Sequence, residues 1–223
     1  MKRIIIFFLV LISIQSYSQK VEVYKIGGHG VTSHLQLVTK EEKKDKLSVY
    51  YYNDWKMARI VLFTGEEIRS YPVKYDLTRN IIEIKTEEEI KLLSIGRVNE
   101  IHWTATGEVF YNTMIFDNFD EQGFFTKLHE GKISLLKKPY MKVIESNYVA
   151  EFDAGEEEDQ YVKRFKYYYV IDNKVREFKK SKRNVLKLFN DNSEQIKDYI
   201  SSKKLKCNND IDLIKIFNYY ENL

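Results

Sequence analysis

The residues able to hold a metal or act as a nucleophile are few in this 223-residue chain, which has four histidines and one cysteine. His29 and His34 stand five apart in a Gly-rich stretch, and His102 and His129 lie far down the chain. A zinc site needs three or four converging ligands, and no second pair sits at ligand spacing, so these histidines read as surface residues. Gly27-Gly28-His29-Gly30 superficially suggests a phosphate loop. Such a loop needs spaced glycines opening a helix, often with Lys-Ser/Thr next; Val31-Thr32-Ser33 follows instead. No serine occupies a G-x-S-x-G elbow. Cys207 is the lone thiol and no histidine follows His129, so neither a Ser/His nor a Cys/His arrangement is signalled. Glu87-Glu88-Glu89 and Glu156-Glu157-Glu158 read as turns. Two glycosidase carboxylates must face each other across a cleft at a set separation, which no local pattern here implies. The acidic stretch Asp153 to Asp159 lacks the spacing of a calcium loop. The expectation is therefore no catalytic, cofactor-binding or metal-ligating residue.

Charge supplies the one candidate surface. Residues 161 to 183 interleave Phe165, Tyr167, Tyr168, Tyr169 and Phe178 with nine cations. Lys179, Lys180, Lys182 and Arg183 close that stretch and form the candidate surface for an anionic partner. In a cytosolic chain such interleaving would suggest single-stranded nucleic acid. The N-terminus argues against that partner and for an envelope protein, an anionic lipid or a glycan. The charges are also divided along the chain. Residues 19 to 159 hold 19 basic and 25 acidic residues, and residues 160 to 223 hold 15 and 8. A basic tail docking on an acidic sheet would partly cancel the two fields.

The N-terminus reads as an export signal. Lys2 and Arg3 precede an apolar run from Ile4 to Ile14, broken only by Ser13. Eleven helical residues span about 16 Å, roughly half a bilayer core, which suits a secretory leader and not an anchor. Ser16 and Ser18 are small residues placed for cleavage, so Gln19 is the expected new N-terminus. Nothing in the chain reaches the length of a transmembrane segment. Residues 1 to 18 are thus expected to be a signal peptide, and 19 to 46 a lead-in segment ending in a charged run from Lys40 to Lys46.

The elements that must position any site follow from the alternation and the turns. Apolar residues at 43% and charged residues at 31% allow a globular core. Residues 47 to 180 read as an antiparallel β domain. Hairpins are expected across Thr64-Gly65-Glu66, across the Glu-rich turn after Lys85, and across Thr106-Gly107, Glu130-Gly131 and Asp172-Asn173. An acidic loop over 151 to 160 interrupts them. Pro72 cannot donate to a ladder, so its strand is expected at an edge or at a bulge. Short connections make consecutive strands antiparallel neighbours, giving a meander that could curl toward an open barrel. Residues 181 to 223 read as three amphipathic helices, with Ser181 and Ser193 as N-caps and Asp210 to Tyr220 as the last. Such short helices need the sheet to be stable. The fold class expected is α+β, and Cys207 should lie between helices.

The segments Trp55-Lys56, Val61-Leu62, Thr64-Gly65 and Val73-Lys74-Tyr75-Asp76 resemble a group of uncharacterised exported bacterial proteins. Lys132-Ile133-Ser134-Leu135-Leu136, Tyr167-Tyr168-Tyr169 and the stretch from Asp212-Leu213-Ile214 to Tyr219-Tyr220 extend the likeness over most of residues 50 to 221. The resemblance implies no activity, cofactor or catalytic residue. The function expected is a non-catalytic binding or interaction protein of the envelope, periplasmic or secreted. Alternatives are a carrier of a lipid or other apolar ligand inside the sheet, and a hydrolase of envelope polymers.

Overall fold

The computed structural model describes residues 49 to 148, 150 to 155 and 158 to 223. Ser18, Gln19, the lead-in segment, Gly27 to Gly30, His29 and His34 lie outside the described residues. Ten strands form one antiparallel sheet: β1 (Lys56–Leu62), β2 (Glu67–Asp76), β3 (Ile81–Lys85), β4 (Ile90–Ser94), β5 (Val98–Trp103), β6 (Val109–Asn112), β7 (Phe124–His129), β8 (Ser134–Ile144), β9 (Gln160–Ile171) and β10 (Lys174–Glu177). Three helices follow: α1 (Lys182–Leu188), α2 (Ser193–Ser202) and α3 (Asp210–Glu221). The spatial order is β10-β9-β8-β7-β6-β5-β1-β2-β3-β4. The chain is therefore α+β, with two meanders that meet where β5 pairs with β1.

That meeting point forces the first meander to curl. On a flat sheet β4 would lie four strand spacings from β5, about 19 Å. Only Ile95–Arg97, a 3-10 turn, separates them, and even a stretched link of that length covers no more than about 14 Å. The sheet bends to bring the two together, yet it is not closed, since β4 and β10 remain its two ends. Asn112 secures the bend. It is fully buried, and its Nδ2 donates to the carbonyls of Ile95 at 2.8 Å and Val98 at 2.6 Å. Its Oδ1 accepts from the Met114 amide.

Period-two alternation fills the inside of the curl. Ala58 and Ile60, Val73 and Tyr75, Ile82 and Ile84, and Ile101 and Trp103 are all buried in one cluster with Phe110 and Phe124. Ile60 stands opposite Ile101 and Ala58 opposite Trp103. Tyr75, Trp103, Phe110 and Phe124 meet largely edge to face, a geometry that adds about 0.5–1.5 kcal/mol per pair beyond area burial.

The second meander is covered on both faces. Leu135 and Tyr167 point to the helices, where Val185, Phe189, Ile196, Ile200, Leu213 and Phe217 complete a core. Their neighbours Leu136 and Tyr168 point to the other face and pack with Phe125, Val175, Phe116 and Phe119. The Tyr167-Tyr168-Tyr169 run is thus divided between two cores by the pleat. Cys207 is buried in the helical core as a free thiol, and burial pushes its pKa up.

Both prolines sit where a ladder stops. Pro72 pairs with Met57 on β1, but the β2–β3 ladder begins only at Val73. Just before it, Arg69 and Ser70 face Arg59 alone, with Ser70 at φ 61°. The strand is an interior one with a local bulge, and of the two expected settings only the bulge applies. Pro139 lies on β8 beyond Lys137, the last residue paired with β7. The β9–β10 turn places Asp172 and Asn173 at φ 50° and 59°, as a two-residue hairpin with two left-handed positions demands. Ser181 caps α1 by accepting from the Asn184 amide. Ser193 is instead the first residue of α2, with Asn192 preceding it. α3 is capped by Asn209, which accepts from the Asp212 amide.

Candidate anionic-partner site

A groove of about 550 Å³ runs between the β9–β10 hairpin and α1. Its apolar lining is Tyr169, Ile171, Phe178 and Leu188, and its cations are Arg176, Lys179 and Lys187, with Glu177 the one acid. The local sequence builds it simply. Phe178 extends the β10 register, its amide donating to the Tyr167 carbonyl at 2.7 Å. The phenyl ring is buried and meets Tyr169 and Phe217 edge to face. Asn184 then ties the link to the helix: its Nδ2 donates to the Lys179 carbonyl at 2.9 Å, and its amide to Ser181 Oγ. The groove therefore has one wall of strand and one of helix, both fixed by hydrogen bonds.

Of the four cations expected from sequence, Lys179, Lys182 and Arg183 are exposed. None of the three has an ion pair among the described residues, nor do Arg176 and Lys187. Lys180 is turned away. Its Nζ donates to Asp210 Oδ1 at 3.0 Å and to the Tyr167 hydroxyl at 2.8 Å, and it lies 4.0 Å from the Tyr167 ring centre. Sequence thus found the basic stretch, Arg176 included, but missed Lys187, which the helix brings to the same groove.

Asp210 gathers three donors at the start of α3: Lys137 at 2.7 Å, Lys180, and the Tyr167 hydroxyl at 2.8 Å. Burial acts to raise its pKa, but the hydrogen bonds from Lys137, Lys180 and Tyr167 hold it below the ordinary value. Burial and the same carboxylate push the Tyr167 phenol up. The cluster is internally satisfied and pins α3 to β8 and β9. Further along α3, His129 Nδ1 lies 2.8 Å from Asn218 Oδ1, and Glu221 accepts from the Lys132 amide at 2.9 Å. The helical tail packs on the sheet through an apolar core, and the polar contacts that pin it are acids of the tail, Asp210 and Glu221, on Lys137 and the Lys132 amide, not tail cations on sheet acids.

Other titratable groups meet on the sheet. His102 Nε2 lies 2.6 Å from Glu100 Oε2, with Arg59 Nη2 3.1 Å from Nδ1. These are i, i+2 neighbours and a cross-strand partner on one outer face, a spacing that sequence could have flagged. Glu108 accepts from both Tyr51 and Tyr52 hydroxyls. Asp76 and Glu83, both buried, are bridged by Arg79. Lys138 and Lys166 share Glu121. No three of His, Cys, Asp and Glu converge as a metal site among the described residues, and no helix there is long and apolar enough to cross a membrane.

Compared with protein-family models, curated proteins and solved structures, the chain matches none.

Proposed function

We propose that this protein is an exported, non-catalytic interaction module of the bacterial cell envelope, which holds an acidic protein segment in the groove between the β9–β10 hairpin and α1. The groove carries the reading: three unpaired cations stand around an apolar floor of Tyr169, Ile171, Phe178 and Leu188. Cations beside a concave apolar lining suit an acidic chain with an apolar side chain to bury. A lipid surface would call for a flatter face. The leader of residues 1 to 18 supports export. Against the carrier alternative stand the fully buried Tyr75, Trp103, Phe110 and Phe124, which occupy the inside of the curl.

The test is binding of a synthetic acidic peptide containing one phenylalanine, measured by calorimetry at low and high salt, beside anionic vesicles and an anionic polysaccharide. The expected outcome is peptide binding that weakens with salt and falls at least about tenfold in Lys179→Glu/Lys187→Glu, a loss of about 1.4 kcal/mol. Equal binding by that double variant, or a preference for vesicles or polysaccharide, would refute the assignment. Intact-mass measurement of the protein from an envelope fraction should show Gln19 as its first residue.

A further inference from the structure

An acidic segment with an exposed apolar side chain is present in the chain itself. β8 and β9 pair without interruption from Ser134 opposite Val170 to Ile144 opposite Gln160. β7 accompanies β8 only along Leu135 to Lys137, and β10 accompanies β9 only from Tyr168 to Ile171. Beyond those points the hairpin continues as a two-stranded arm with no third strand on either edge. Its end is both greasy and acidic. Phe152 is 78% exposed, the most exposed large apolar side chain among the described residues, and Val143 and Ile144 are exposed as well. Among the described residues from 145 to 159 stand five acids, Glu145, Glu151, Asp153, Glu158 and Asp159, and neither Lys nor Arg.

The arm and the groove lie at opposite ends of the same strand. Gln160 begins β9 at the arm, and Tyr169 and Ile171 end it in the groove. Nine residues of strand separate Gln160 from Tyr169 by about 30 Å, so the end of an arm cannot reach the groove of its own chain. We infer that the arm of one molecule docks in the groove of a second copy, with Phe152 entering the apolar lining and the acidic loop facing Arg176, Lys179 and Lys187. This rests on the reading of the groove given above and names its partner. The two surfaces are different, so the contact is head-to-tail and propagates into chains or rings rather than stopping at a symmetric dimer.

Two variants make the test decisive. Lys179→Glu/Lys187→Glu disables the groove and leaves the arm. Phe152→Ala combined with Glu151→Lys and Glu158→Lys disables the arm and leaves the groove. All of these side chains are exposed, and melting curves of both variants should overlay that of the parent. In sedimentation velocity at low salt, the exported protein should associate as its concentration rises. Each variant alone should be monomeric, with association weakened by at least about tenfold. An equimolar mixture should form a 1:1 dimer and stop there, because only one productive contact remains. A parent that stays monomeric up to roughly 100 µM, weaker than most specific contacts, would overturn self-docking. So would variants that associate as the parent does, or a mixture that stays monomeric. Binding of the acidic peptide to the groove, measured on the same samples, reports separately whether the groove reading survives that failure.

Discussion

Asn118 and Val175 are joined by two hydrogen bonds: Asn118 Nδ2 donates to the Val175 carbonyl at 3.0 Å, and the Val175 amide donates to Asn118 Oδ1 at 3.2 Å. Val175 lies in β10, an end strand of the sheet. The carboxamide does what the backbone of a neighbouring strand would do. It occupies the outward groups that otherwise invite pairing with another chain. It also anchors the loop whose Phe116 and Phe119 cover the face opposite the helices.

Asn118→Ala should therefore act in two ways. It removes two hydrogen bonds, for a loss of about 1–2 kcal/mol in urea unfolding. It also opens the β10 edge, so light scattering on incubation should rise above that of the parent. Loss of stability without added aggregation would mean that the edge is protected by something else.

Asn112→Ala should be more costly, because its bonds to the Ile95 and Val98 carbonyls are buried. The carbonyls of Ile95 and Val98 and the amide of Met114 would lose their side-chain partner beside the bend between β4 and β5. The Ile95 carbonyl keeps the Val98 amide as a partner, and an unsatisfied buried polar group costs about 1–3 kcal/mol, so a loss of about 2–3 kcal/mol is expected, read as a lowered urea midpoint. Asn112→Asp should not restore it, since a carboxylate cannot donate to two carbonyls.

Asp210 gives a pH dependence of definite sign. Its folded-state pKa is held below the ordinary 3.8 by Lys137, Lys180 and Tyr167, against the upward push of burial. The stability it contributes is complete above about pH 5 and is lost as pH falls through the folded value, below 3.8. Asp210→Asn should melt below the parent at neutral pH, and the two curves should converge toward about pH 2. Parallel melting temperatures across that range would show that the cluster contributes no linkage.

Lys138→Met tests whether a buried charge helps. Lys138 is 5% exposed, and burial lowers its pKa even though Glu121 lies 3.4 Å away. Glu121 keeps Lys166 as a partner after the change. Replacing a desolvated ammonium by an apolar chain of similar length should leave stability within about 1 kcal/mol of the parent, or raise it. A loss beyond about 3 kcal/mol in chemical unfolding would identify the pair as a net stabiliser.

The hairpins were legible in the sequence because their causes are local. Gly65, Gly107 and the Asp172-Asn173 pair supply the positive φ that their turns use, and alternation such as Tyr71, Val73, Tyr75 reports burial on one face. Helix α3 was legible for the same reason, its apolar spacing lying within twelve residues, while its cap Asn209 went unnamed. Ser193 was misplaced as a cap because both Asn192 and Ser193 are suitable types, and only backbone geometry chooses between them.

What the sequence determined by itself is therefore the set of elements, their antiparallel order within each meander and the basic stretch from Lys179 to Arg183. Each depends on residues within a few positions of one another. Tertiary structure decided that β5 returns to β1, that Asn112 holds the resulting bend, and that Lys180 is spent on Asp210. It also brought Arg176 and Lys187 together with Lys179 around one groove. These pairings join residues far apart in the chain, or turn neighbours in opposite directions. The long-range strand return and side-chain direction arise from packing three cores around one sheet, and no local pattern encodes that choice.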